Sequence, residues 1–160
     1  MDRERDIALT VNGASIAARV PVRRNLVDFL RDDLGLTGSH VGCEHGVCGM
    51  CTVRVDGSIV RGCLMLAVQA NGATVETIEG LTKTGEIAAL QSAFVERNAA
   101  QCGFCTPGML VAAAELLRDN PAATRDEIRR FISGNYCRCT GYHAIVDAIE
   151  QAARARAGRK

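Results

Sequence analysis

The sequence predicts an α+β fold, with a β-rich first half and a helical second half. Three observations carry this. Apolar residues alternate between turn dipeptides up to about residue 78; beyond it Ala, Leu, Glu and Arg take over at helical spacing. The eight cysteines, all between Cys43 and Cys139, divide four and four between the halves. With 160 residues, 48% of them hydrophobic and 23% charged, the chain can bury a real core as one domain or two small ones. That composition excludes wholesale disorder and collagen-like repetition. A net charge of +1, 4% aromatics and no Trp argue against a nucleic-acid binder, which would want a basic face and stacking rings.

Ile7 to Val11, the turn Asn12-Gly13 and the extended stretch Ala14 to Val20 predict a first hairpin. Leu26, Phe29 and Leu30 then share one face of a short helix. Five glycines between Gly35 and Cys51 predict a loop. Cys51 to Val55, Asp56-Gly57 and Ser58 to Arg61 predict a second hairpin, with another strand near Thr74 to Ile78. The polar stretch Glu79 to Gly85 is the expected boundary. A helix over Glu86 to Ala99 would turn Ile87, Leu90, Phe94 and Val95 inward. Thr106-Pro107 predicts an N-cap and first-turn proline for a helix reaching Asp119, stopped by Asn120-Pro121. Thr124 and Glu127 form a capping box for a helix through about Ile132, and a last helix begins near His143.

Cys43, Cys48, Cys51 and Cys63 follow the spacing C-x4-C-x2-C, then eleven residues and C. This is the plant-type [2Fe-2S] pattern. A two-iron cluster on four thiolates is anionic and needs backbone N–H groups turned toward its sulfurs, which explains the surrounding glycines. A structural zinc site is the alternative, although zinc prefers paired C-x2-C knuckles. Cys102, Cys105, Cys137 and Cys139 form the second set, a C-x2-C and a C-x-C separated by thirty-one residues. Each pair stands just before a predicted helix, whose N-terminus favours an anion. Residues two apart in a helix point to nearly opposite sides, so Cys137 and Cys139 must lie in a loop if both ligate. Alone, the C-x2-C would also suit a thioredoxin-like redox pair or half a zinc knuckle.

Three segments carry a resemblance: Gly42-Cys43-Glu44-His45-Gly46-Val47-Cys48-Gly49-Met50-Cys51, Gln101-Cys102-Gly103-Phe104-Cys105-Thr106-Pro107-Gly108 and Gly134-Asn135-Tyr136-Cys137-Arg138-Cys139-Thr140-Gly141-Tyr142. Through them the chain, from about Ile7 to Ala153, resembles the small iron-sulfur subunits of the molybdenum hydroxylase (xanthine oxidase) family. It is similar to the small chains of aerobic carbon monoxide dehydrogenase, 4-hydroxybenzoyl-CoA reductase and N-heterocycle and nicotine dehydrogenases. Met50 departs from the Ala frequent in relatives, which touches local packing only.

The resemblance implies a β-grasp plant-type ferredoxin domain over residues 1–79 and an all-α four-helix [2Fe-2S] domain over residues 80–160. It implies two [2Fe-2S] clusters that relay electrons from molybdopterin in a large subunit to FAD in a medium subunit. The helical-domain cluster would be the one nearer the pterin, and the assembly a dimer of heterotrimers. It also implies that Gln101 and Cys139 contact the pterin, and that the chain does no substrate chemistry itself. A double zinc-binding interaction module is the rival reading; a stand-alone ferredoxin-like carrier or thiol enzyme is a third.

The charged start, Met1-Asp2-Arg3-Glu4-Arg5-Asp6, does not resemble a secretory signal, and no apolar run reaches the roughly 18 residues of a membrane span. Clustered thiols in such a chain predict a cytoplasmic metal binder rather than a disulfide scaffold. The three histidines, His40, His45 and His143, are in principle candidates as ligands or bases. His45 lies in a loop whose four cysteines already complete a site, and His143 at a helix start is expected to be exposed. Arg154, Arg156, Arg159 and Lys160 read as a frayed basic helix end, with subunit contact as the alternative.

Overall fold

The computed structural model describes residues 3–157. Strands β1 (Glu4–Val11) and β2 (Ala14–Pro21) form the first antiparallel hairpin. Its turn needs two successive positive φ values, and Asn12 and Gly13 supply them at 50° and 81°. Helix α1 (Leu26–Asp28), capped by the Asn25 side chain on the Asp28 N–H, continues as a π-helical turn over Phe29–Asp33. Strands β3 (Thr52–Val55) and β4 (Ser58–Arg61) form the second hairpin, and β5 (Thr74–Glu76) closes the sheet. The strand order is β2-β1-β5-β3-β4, with β5 parallel to β1 and antiparallel to β3. Ile7, Leu9 and Val11 alternate inward along β1 and meet Val53, Val75, Leu26, Phe29 and Leu30 in one apolar core.

The second half holds α2 (Ile78–Lys83), α3 (Ala88–Glu96), α4 (Thr106–Asp119), α5 (Arg125–Phe131) and α6 (His143–Ala157). Its core gathers Leu81, Leu90, Phe94, Met109, Leu117, Ile128, Ile145 and Ile149. The capping box forms as expected, the Thr124 hydroxyl accepting from the Glu127 N–H while the Glu127 carboxylate accepts from the Thr124 N–H.

Three local expectations are corrected. The stretch expected as a polar boundary folds largely as helix α2, with Ile78 and Leu81 in the helical core, Thr82 and Lys83 exposed and the half-buried Glu79 carboxylate accepting the Gly38 N–H at 2.8 Å. Asn12 fastens the start of that helix to the first hairpin: its Oδ1 accepts the Thr77 N–H and its Nδ2 donates to the Thr77 hydroxyl, both at 2.9 Å. Val95 points out, 77% exposed, since Leu90, Ala93 and Phe94 already fill the inner face of α3. Thr106 is the first residue of α4 rather than its cap; Cys105 takes the cap position, and the Thr106 hydroxyl is buried without a partner.

The basic end of α6 is ordered as helix through Ala157. Arg154 pairs with Glu150 at 3.0 Å and Arg156 donates to the Glu86 carbonyl at 3.1 Å. Arg159 and Lys160 lie outside the described residues. Among the described residues no helix is long and apolar enough to cross a membrane.

Candidate metal centres

Cys43, Cys48 and Cys51 of the first set occupy the irregular segment between the π-helical turn and β3. The segment starts where the Leu36 N–H donates to the Leu30 carbonyl at 2.8 Å, which fixes its exit from the helix. It coils through positive φ at Glu44, Gly46 and Gly49. That path aims N–H groups at one sulfur: Cys48 N–H donates to Cys43 Sγ at 3.4 Å, and the backbones of His45 and Val47 add to it. The Cys43 thiol is pulled down to about 6, first by the Cys48 N–H and against the opposing effect of burial. Cys51 ends the loop and Cys63 follows β4; the Cys63 N–H donates to Cys51 Sγ at 3.4 Å. Burial pushes the Cys51 thiol up to about 12, and burial raises Cys48 as well.

The second set is built from two helix approaches. Cys102 and Cys105 precede α4, with Cys105 buried at its cap and Cys102 exposed. Cys137 and Cys139 lie in the loop after a short 3-10 turn (Ile132–Gly134), as ligation by both requires. Cys139 Sγ stands 3.5 Å from Cys102 Sγ, and Cys105 lies near both Cys137 and Cys102. The Tyr142 hydroxyl accepts the Cys137 N–H at 2.8 Å, which ties the loop to the start of α6. Burial disfavours the Cys137 thiolate, but the Thr140 hydroxyl at 3.1 Å and the Thr140 N–H at 3.4 Å, together with the Cys139 backbone and Cys105, outweigh it, and the thiol is lowered. Burial pushes Cys105 up to about 12.

Within each set the thiols lie close enough to act on one another electrostatically, Cys43 with Cys48, Cys51 with Cys63 and Cys105 with Cys137, and the Cys102 and Cys139 sulfurs are in contact at 3.5 Å. Two sulfurs on one tetrahedral metal with bonds of about 2.3 Å lie roughly 3.8 Å apart. The 3.5 Å Cys102–Cys139 separation suits one shared metal, and four thiols in each set match the ligand count of a two-iron cluster. Among the described residues no three or more His, Cys, Asp or Glu side chains enclose a single ion. The backbone N–H groups on Cys43, Cys51 and Cys137 fit an anionic, sulfur-rich group.

Other predicted residues fall around these sets. Gln101 is exposed beside Cys102, and His143 is exposed. His45 is exposed and its Nδ1 contacts the Cys43 carbonyl, so it braces the loop. His40 stacks on Phe104 with ring centroids 4.6 Å apart, its Nδ1 at 2.8 Å from the Phe104 carbonyl. Sequence reasoning missed that contact between the two loops, because nothing local to either residue signals a partner more than sixty positions away. Val47, Leu64, Phe104 and Tyr136 expose large apolar side chains on these loops and their flanks.

Comparison with known proteins matches the family model described as "2Fe-2S iron-sulfur cluster binding domain" over residues 9–72, and the model described as "[2Fe-2S] binding domain" over residues 77–150. The chain is 54% identical over 149 residues to caffeine dehydrogenase subunit gamma of Pseudomonas sp. (strain CBB1), covering 90% of this chain and 88% of that one. It is 49% identical over 144 residues to the nicotine 6-hydroxylase small subunit of Paenarthrobacter nicotinovorans, covering 90% and 87%. Among solved structures, quinoline 2-oxidoreductase from Pseudomonas putida 86 superposes with a TM-score of 0.91 at 49% identity, covering 99% of this chain and 100% of that chain.

Proposed function

Because the chain belongs to the small iron-sulfur subunits of the molybdenum hydroxylase family, we propose that it is the electron-transfer subunit of such a complex. It carries two [2Fe-2S] clusters and relays electrons from a molybdopterin centre in a large subunit to FAD in a medium subunit. When bound, each cluster supplies one-electron redox chemistry. The observation that carries this reading is the gathering of the eight cysteines into two four-thiol sets, with backbone N–H groups turned onto Cys43, Cys51 and Cys137 and the Cys102 and Cys139 sulfurs 3.5 Å apart.

Cys43, Cys48, Cys51 and Cys63 hold the first cluster; Cys102, Cys105, Cys137 and Cys139 hold the second. In this reading Cys43 and Cys48 share one iron and Cys51 and Cys63 the other. In the second set the assignment is Cys102 with Cys139, and Cys105 with Cys137. Gln101 and Cys139 face the pterin of the large subunit, a role their exposure supports. The parallel β1–β5 pair between two hairpins supports a β-grasp ferredoxin domain over residues 1–79, and α3 to α6 support a four-helix domain over residues 80–160. A cytoplasmic location is the reading of the clustered thiols and charged start, and assembly as a dimer of heterotrimers follows from the family alone.

Metal analysis with paramagnetic resonance of the reduced complex tests the reading. About four Fe per chain, brown colour and two distinct signals are expected. About two Zn in a colourless protein would instead establish the zinc module.

A further inference from the structure

The two thiol sets come from different halves of the chain, yet backbone joins them. The N–H of Tyr136 donates to the carbonyl of Cys48 at 2.8 Å, and Tyr136 directly precedes Cys137. The Cβ, Cα and carbonyl of Cys48, that hydrogen bond and the Tyr136-Cys137 backbone thus form a continuous bridge from one sulfur to the other. Electronic coupling decays far more gently along bonded atoms than across a gap, so a small parting at this hydrogen bond would weaken the whole route.

A polar clasp, buried at Asn135 and half-buried at Arg61, holds the joint from both sides. Asn135 is 3% exposed. Its Nδ2 donates to the Gly49 carbonyl at 3.0 Å and lies 3.4 Å from the Thr52 hydroxyl, while its Oδ1 accepts from Arg61 Nη2 at 3.4 Å. Arg61 Nη2 also donates to the Gly134 carbonyl at 2.7 Å, and its Nη1 donates to the Thr52 hydroxyl. The clasp therefore ties Gly49, next to Cys48, to Gly134 and Asn135, next to Tyr136. An amide and a guanidinium are expensive to desolvate, whereas apolar groups would fill the space without that cost. What a fully satisfied polar network adds is a single defined register.

We propose that Asn135 and Arg61 are positioning residues for electron transfer between the two clusters, fixing the Cys48–Tyr136 contact that connects their ligands. The proposal rests on the two-cluster reading above. The step moves one electron and breaks no bond: iron on the Cys102, Cys105, Cys137 and Cys139 set is oxidised as iron on the Cys43, Cys48, Cys51 and Cys63 set is reduced.

The test uses the intact complex with Asn135→Leu and, separately, Arg61→Met. Two quantities are read: the magnetic interaction between the centres after full reduction with dithionite, and the rate of electron redistribution between them after flash photoreduction with a deazaflavin. Iron content and both signals are expected to persist, while the interaction weakens and redistribution slows by about tenfold or more. An unchanged interaction and rate at full iron content would overturn the proposal, leaving the clasp as a structural brace. Should either variant fail to load iron, Thr52→Val removes the hydroxyl that both side chains touch while keeping its shape, and is judged by the same two readings. If the unaltered complex lacks two paramagnetic centres, the two-cluster reading falls instead, and the proposal with it.

Discussion

The carboxylate of Glu115, on α4, accepts the backbone N–H of Ile59 at 2.6 Å. Ile59 lies on β4, the outermost strand on that side of the sheet, where backbone groups would otherwise stand unpaired. One helical side chain thus closes part of a sheet edge and fastens the helical half to the strand that leads to Cys63. Glu115→Ala removes the acceptor and is expected to cost about 1–2 kcal/mol, or roughly 2–6 °C in unfolding midpoint. Glu115→Gln keeps an acceptor oxygen and is expected to recover most of the loss in the same thermal scan. Equal midpoints for the two variants would show that charge rather than the hydrogen bond matters.

Arg54 supplies a second tie between the halves. It is 4% exposed and donates to Glu86 at 2.7 Å and to Glu76 at 3.2 Å. The Arg54 hydrogen bond holds the Glu86 carboxyl below its ordinary value of 4.5, against a smaller upward push from burial. A depressed carboxylate contributes stability above its unfolded pKa and loses it as pH falls through the folded value. Glu86 remains partly exposed, which limits the contribution to about 1 kcal/mol. Denaturant midpoints of the unaltered chain and Glu86→Gln are therefore expected to differ at pH 7 and to converge as pH falls below 4.5. A constant difference across that range would assign the stabilisation to another group.

The turn dipeptides Asn12-Gly13 and Asp56-Gly57 and the Thr124 and Glu127 box were legible because each is a local pattern with its own physical cause, and the cysteine spacings C-x4-C-x2-C, C-x2-C and C-x-C were legible in the same way. Helix α2 was not: in Ile78-Glu79-Gly80-Leu81-Thr82-Lys83 only two apolar residues mark the inner face, too few to distinguish one helical turn from a polar linker. Val95 misled because a fourth apolar residue on a helix that already buries Leu90, Ala93 and Phe94 has no neighbour left to meet. The contacts of Asn135 with Gly49 and of His40 with Phe104 depend on how the halves dock, and no spacing within either half encodes them.

Gly49 shows how tightly that docking is drawn. Its φ is +75°, and a Cβ there would stand 2.5 Å from the Gly134 carbonyl oxygen and 2.7 Å from Asn135 Cγ. Gly49→Ala therefore combines a left-handed backbone penalty of about 1–2 kcal/mol with a clash against backbone. Gly13→Ala has a similar φ of +81° but nothing within 4 Å of the added atom, so it isolates the first effect. Gly49→Ala is expected to lower the unfolding midpoint well beyond Gly13→Ala and to reduce iron loading. Equal shifts would mean that the joint yields easily.

Cys48→Ser separates the two centres. Cys48 contributes a sulfur to the first set, while its backbone carbonyl still accepts the Tyr136 N–H. Iron is expected to fall from about four to about two per chain, with one paramagnetic signal lost and the other kept. Unchanged iron content would refute the ligand assignment.

The most exposed part of the second set faces outward at Gln101, Cys102 and Cys139. The sulfurs of Cys102 and Cys139 lie 3.5 Å apart at the surface, and Gln101 is their exposed neighbour. A planar heteroaromatic held by the large subunit could therefore approach this set without displacing any of the chain's buried groups. The carboxamide of Gln101 offers both donor and acceptor to such an edge, as a pterin requires. Its exposure also means that it contributes little to the stability of the isolated chain, so its loss tests contact rather than folding. Gln101→Ala is expected to leave iron content and unfolding midpoint unchanged. Molybdenum retained by the complex after gel filtration, and the magnetic interaction between molybdenum and the nearer iron-sulfur centre, are both expected to fall. Full molybdenum content with an unaltered interaction would show that Gln101 only covers its own loop, and the pterin contact would then have to rest on Cys139 alone.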